Sequence, residues 1–320
     1  MNHAAVMPWL LAALLGGAAC DPQQNQKAPG LDSSELAARD ARFKEALAQP
    51  NSDSERAIAR WLMPVELSEI SGLALTPDGR ILTHGDQRGQ VFEIDYRRGV
   101  VVKQFTLGRP PAKGDFEAIT VVGDTVIMLS SDGTLYMFRE GTNGSQVPFT
   151  VQNTGLGAEC EFEGVAFDPA THALLLACKV VAKKSRDEGL VIFRYKLGSG
   201  NGAQASKITV PLAQAIGANG WDGLHPSDIT VNPLNGNYVI IAGREKALVE
   251  ITPAGRVVLT RPLPGEHAQP EGVAITKDGV LIISDERGGQ NKGETFQNEL
   301  GAGVITLYRW PLARAPGKAK

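Results

Sequence analysis

Four carboxylates recur in a common local setting, and acids that repeat along a chain are candidates to meet in space. Glu117, Glu163, Asp228 and Glu271 each precede a small or apolar residue that opens a short apolar run, and Ser71 holds the matching place in a fifth segment. From Ser71 onward the intervals are 46, 46, 65 and 43 residues. Acids gathered out of water repel one another and rise in pKa unless a cation neutralises them. Oxygen ligands without a matching His/Cys cluster suit calcium better than zinc or magnesium, because calcium accepts several carboxylates in flexible geometry. The same acids can instead accept backbone hydrogen bonds from a neighbouring repeat, or one of them can be catalytic. His225, just ahead of Asp228, is a candidate general base, or simply the polar residue that opens its segment. Neither a Gly-x-Ser-x-Gly elbow nor a phosphate-binding glycine loop is present, which disfavours a serine hydrolase and a nucleotide enzyme.

The elements that must position these residues read as strands. Short runs such as Gly72 to Thr76, Thr125 to Ser130, Ala173 to Ala177, Tyr238 to Ala242 and Val280 to Ser284 are separated by turn signals, among them Pro77-Asp78-Gly79 and Lys277-Asp278-Gly279. A period in the forties with about four strands per unit predicts an all-β fold, a β-propeller. Five motifs predict five blades; six would require a divergent blade within the 65-residue interval. A strand from Met63 to Leu67 is expected to complete the last blade beside Gly303 to Trp310, closing the ring.

In a propeller the first strand of each blade lines the channel, and its start lies beside the end of the second. That rule places Glu117, Glu163, Asp228 and Glu271 at one channel mouth as metal ligands. Ser71, His84, Asp86, Asp132, Lys179, Arg244, Asp285 and Glu286 fall on the same side as ligand-binding candidates. The long connections Val181 to Gly189, Ala213 to Ser227 and Glu286 to Ala302 emerge there too, as functional loops do. Trp221, within the second of them, either covers a pocket or packs under the loop.

At Glu69-Ile70-Ser71-Gly72, Phe162-Glu163-Gly164-Val165, Pro270-Glu271-Gly272-Val273 and Ser284-Asp285-Glu286 the chain resembles the SdiA-regulated (YjiK-like) family of bacterial envelope propellers. The likeness spans about residues 65–310. It implies a propeller and a bound calcium, and it supplies no settled activity.

Residues 1–19 read as an export leader, apolar from Ala4 to Ala19 and too short for a comfortable membrane span. Leu15-Gly16-Gly17-Ala18-Ala19-Cys20 resembles a bacterial lipoprotein signal with Cys20 as the lipidated mature N-terminus; the alternatives are a plain secretory signal or a short buried helix. Residues 20–31 read as a tether and 32–62 as a helical segment, with Asp32 and Glu35 in capping-box positions, Leu36, Phe43 and Leu47 on one stripe, and a second short helix from Ser54 to Trp61. The propeller is expected over 63–312, followed by a tail at 313–320. Export permits a disulfide between Cys160 and Cys178, but a regular hairpin puts Cys178 opposite Glu163 and on the other face from Cys160, so two free buried thiols are expected.

With charged residues at 21% and a formal net charge of -3, the chain lacks the basic footprint of a nucleic-acid binder. These readings describe a membrane-tethered propeller facing the periplasm, or secreted if Cys20 is not lipidated. It would bind an envelope protein or small molecule at an acidic channel mouth ordered by calcium. A calcium-dependent hydrolase of lactones or phosphate esters and a purely structural scaffold are the alternatives.

Overall fold

A computed structural model describes residues 31–49, 56–182, 188–198, 205–286 and 302–312. The expected leader, Cys20, the tether up to residue 30 and the tail lie outside these residues.

Helix α1 (Ser33–Ala48) starts as its sequence dictates, with Asp32 at the N-cap accepting the Glu35 N–H at 2.8 Å. Phe43 is buried, flanked by half-buried Leu36 and Leu47. The expected second helix is replaced by strand β1 (Ala59–Leu62). Its residues alternate between half-buried and exposed, and Trp61 packs against the core where the first and last blades meet. A helix would leave the open edge of the last blade unpaired.

Five sheets follow. Blade 1 contains β2 (Ile70–Leu75), β3 (Ile81–Gly85), β4 (Gln90–Asp95) and β5 (Val100–Leu107). Blade 2 contains β6 (Phe116–Val122), β7 (Thr125–Ser130), β8 (Thr134–Arg139) and β10 (Phe149–Asn153); the intervening β9 (Gln146–Val147) pairs in parallel with β5. Blade 3 runs β11 (Cys160–Asp168), β12 (Ala173–Val181), β13 (Glu188–Tyr195) and β14 (Ala205–Pro211). A short helix α2 (Leu212–Ile216) then leads to blade 4, β15 (Asp228–Val231), β16 (Tyr238–Ala242), β17 (Ala247–Ile251) and β18 (Val257–Pro262). Blade 5 takes β19 (Pro270–Ile275), β20 (Val280–Asp285) and β21 (Val304–Arg309), with β1 as its outer strand.

The ring therefore closes between the chain's two ends, as expected, but through Ala59 to Leu62 instead of Met63 to Leu67. Residues Val65–Leu67 form a 3-10 turn. The 65-residue interval holds one blade with two nine-residue strands and a long connection, so there are five blades.

Each blade buries both faces against its neighbours. Leu73, Ile81 and Phe92 of blade 1 pack with Ala274 and Ile282 of blade 5, whereas Ala74, Leu82 and Val91 pack with Phe116 and Met128 of blade 2. This side-to-side alternation is the period-2 strand pattern put to use. A five-blade ring also forces the inner strands close together, and glycine after the acidic position makes room. A Cβ on Gly164 would stand 3.0 Å from the Asp228 Cα and the Ile229 nitrogen; one on Gly272 would stand 2.6 Å from the Ser71 carbonyl oxygen. Gly272→Ala is accordingly expected to destabilise by roughly 1–3 kcal/mol, the cost of overpacking a rigid contact. An unchanged urea midpoint would show that the inner strands can separate freely.

Candidate functional site

Strand register explains how the acidic side chains reach the channel. The β6–β7 ladder slips between Phe116 and Ala118, β11–β12 between Phe162 and Gly164, and β19–β20 between Pro270 and Gly272. Glu117, Glu163 and Glu271 are the extra residues in these three bulges. A bulged residue has no ladder partner and the strand bends beneath it, re-aiming its side chain. β2 slips at the corresponding place, between Ile70 and Leu73, where Ser71 and Gly72 stand.

The three glutamates then sense one another. Burial, followed by the charges of Glu163 and Asp115, pushes Glu117 up to about 8. Burial and the charge of Glu163 raise Glu271 to about 7. Glu163, 5% exposed, is also raised by burial, but a salt bridge from Lys179 opposes the shift. Burial disfavours the Lys179 ammonium; its hydrogen bond to Glu163 and the charges of Glu271 and Glu117 outweigh that effect and leave its pKa raised. Lys179 thus supplies, within the fold, the positive charge that spacing alone assigned to a metal.

Asp228 does something different. Its strand pairs in regular register, so it is not bulged outward. The fully buried carboxylate accepts the Ile229 N–H at 2.8 Å, the Val273 N–H of blade 5 at 2.8 Å, and the Leu73 N–H of blade 1. One side chain therefore ties three blades together, and burial holds its pKa well above the usual carboxylate range. Among the described residues no three His, Cys, Asp or Glu side chains are gathered as a metal site. With Asp228 on backbone N–H groups and Glu163 on Lys179, the residues as arranged do not fit the four-carboxylate calcium cage that their spacing suggests.

The remaining candidates divide between the mouth and the fold's interior. Asp86 and Glu286 join the mouth: Glu286 is raised by burial and by the charges of Asp86 and Glu69. Ser71 contributes its carbonyl, which accepts the Ser284 hydroxyl at 3.0 Å. His84 is sealed inside, its Nδ1 2.9 Å from the Gly85 carbonyl and its Nε2 without a partner among the described residues, and burial lowers it to about 4. Asp285 is buried against His267, with Oδ2 2.7 Å from Nδ1. Asp132 caps its own turn, accepting the Ser130 hydroxyl and the Thr134 N–H. Trp221 packs against the core of blades 3 and 4, and Arg244 lies exposed in the turn after β16. His225 is clamped by Glu245, which accepts its backbone N–H at 3.0 Å and sits 2.7 Å from its Nδ1.

Two features depart from the sequence reading. Cys160 and Cys178 form a disulfide with a Cα separation of 5.6 Å. The bulge at Glu163 is the reason: it pairs Cys178 with Phe162, restoring Cys160 and Cys178 to one face. A rim of further acids was also missed. Asp115 and Glu161 stand two residues before Glu117 and Glu163, and both are exposed. That repeated two-residue spacing is visible in the motifs Asp115-Phe116-Glu117 and Glu161-Phe162-Glu163.

This fold and site define a five-bladed β-propeller with an acidic axial mouth. The sequence model of the family described as SdiA-regulated matches residues 209–294, and the resemblance read from the blade motifs is borne out over that stretch. No curated protein matches the chain. Among solved structures it is similar to the glutaminyl cyclase of Myxococcus xanthus, at 12% identity and a TM-score of 0.50, covering 79% of this chain and 94% of that one. A luciferin-regenerating enzyme gives 9% identity and 0.48, with 79% and 96% covered. The PQQ-bound aldose sugar dehydrogenase of Streptomyces coelicolor gives 14% and 0.47, with 82% and 99% covered. The likeness to the cyclase is one of fold.

Proposed function

We propose that this chain is a binding propeller of the bacterial cell envelope, held to a membrane through lipidated Cys20, whose acidic mouth takes up the cationic group of a ligand or protein partner. The observation that carries this reading is the convergence of Glu117, Glu163 and Glu271 on Lys179, with Asp86 and Glu286 beside them. A low-dielectric mouth lined by one sign of charge concentrates the opposite sign. The Cys160–Cys178 disulfide supports an exported chain, because such bonds persist in oxidising compartments. Calcium is a competing occupant that would have to draw Glu163 away from Lys179.

The test is retention of basic, neutral and acidic peptides on the immobilised protein at low and high salt. Basic peptides should be held at low salt only, and Glu163→Gln combined with Glu271→Gln should release them. Equal retention of all three peptide classes would sink the reading.

His225 supports a second reading, a hydrolase of lactones or phosphate esters. With Nδ1 held by Glu245, its Nε2 is left as the ring nitrogen to act as base. Turnover of an ester, lactone or phosphoester that is lost in His225→Ala would favour it; no turnover across the panel would count against it.

A further inference from the structure

The two ends of the propeller differ in charge and in how the chain arrives. The strand starts of β2, β6, β11 and β19 define the mouth; the turns at 76–80, 96–99, 123–124 and 276–279 define the opposite end. Helix α1 is seated at that opposite end. Arg39 donates to the Arg98 carbonyl at 3.0 Å, Phe43 meets the Tyr96 ring edge-on at 6.0 Å, and Arg309, at the far end of β21, donates to the Leu47 carbonyl. The chain therefore enters the propeller from the end remote from the acids.

Charge follows the same axis. At the α1 end the turn acids are matched by arginines: Asp78 with Arg80 at 2.7 Å, Asp278 with Arg97 at 3.1 Å, and Asp124 with Arg139. Exposed Lys277 and Arg256 add positive charge there. At the mouth, Glu117, Glu163 and Glu271 converge on the one Lys179, inside a rim that includes exposed Asp115 and Glu161. Helix α1 and its N-cap carry Asp32, Glu35, Asp40 and Glu45 against Arg39, Arg42 and Lys44, so this end is close to balanced and is tolerated by an anionic lipid surface, whereas the mouth is repelled by it, over about one Debye length.

From this polarity we propose that the protein sits on an anionic membrane by its α1 end, with the acidic mouth turned away from the headgroups toward partners in the aqueous compartment. The proposal rests on the tethered reading above, and it adds which surface meets lipid and which stays free. The inner strands are six to nine residues long for most blades, so the ends stand about 20–30 Å apart, a span that energy transfer resolves.

The experiment uses the full acylated chain in vesicles containing phosphatidylglycerol, with an acceptor dye on the headgroups. A donor is attached through Lys277→Cys at the α1 end or Gln87→Cys at the mouth; Cys160 and Cys178 are buried in their disulfide and do not compete. Transfer from position 277 should exceed that from 87 several-fold at low salt. Equal or reversed transfer with the chain still bound would overturn the orientation and leave tethering intact. Chain that stays in solution would overturn tethering, and the orientation with it.

Discussion

Replacing Asp228 with alanine should cost about 3–5 kcal/mol and leave little folded protein at moderate temperature, because backbone N–H donors from three blades lose their buried acceptor at about 1–3 kcal/mol each. The carboxylate is fully buried and accepts N–H groups from blades 4, 5 and 1. Truncation leaves those donors out of reach of water. Asp228→Asn should fall between, because an amide turns an NH2 toward donors already pointing inward. Urea unfolding of Asp228→Ala, Asp228→Asn and Glu117→Gln separates this role from cation binding. If Asp228 served only a cation, its substitution would be no worse than that of Glu117.

Stability should decline between about pH 6.5 and 8, and the decline should flatten in Glu117→Gln and Glu271→Gln. Both acids titrate higher in the folded chain, at about 8 and about 7, than their ordinary value of 4.5. Between those limits the folded state binds more protons than the unfolded chain, so stability falls as pH rises. His84 acts in the opposite direction. Its folded pKa of about 4 lies below the ordinary 6.5, so it adds stability as pH rises toward 6.5 and contributes no slope above it. Asp228, raised well above its ordinary value by burial, adds a slope of the same sign above 6.5, so the two glutamates are read by difference: roughly 2–4 kcal/mol of the loss there is expected to vanish when Glu117→Gln and Glu271→Gln are combined. Melting temperatures across the window give the result. A flat profile, or one unaltered by Glu117→Gln, would mean the mouth is well hydrated and its acids ordinary.

The blade count and the strand alternation were legible because each rests on spacing, and spacing also draws Glu117, Glu163 and Glu271 to one end of the ring, though not Asp228. The 46, 46, 65 and 43-residue intervals name the inner strands before any coordinate is known. What spacing does not carry is register. A bulge adds one residue to one strand and shifts the pairing beyond it; in β11–β12 the slip at Glu163 is undone by a second one at Lys179, so the change is local to Phe162 and Cys178. Such slips project Glu163 and Glu117, bring Cys160 and Cys178 together, and are absent at Asp228, which turns into the ring instead. Lys179 was legible as a mouth residue, but its service as counter-ion depends on the distance across the β11–β12 hairpin. The Ser54 to Trp61 segment was misread because its strand is stabilised by an edge more than two hundred residues away.

The acidic mouth as a cation site is tested most directly by calorimetric titration of spermidine, a small polyamine, into the protein at pH 8 and low salt, with and without calcium. Saturable binding to the wild type is expected, lost when Glu117, Glu163 and Glu271 are all changed to Gln and reduced by competing calcium. Identical heats for the two proteins would contradict it, and would leave the ring of glutamates with a structural role alone.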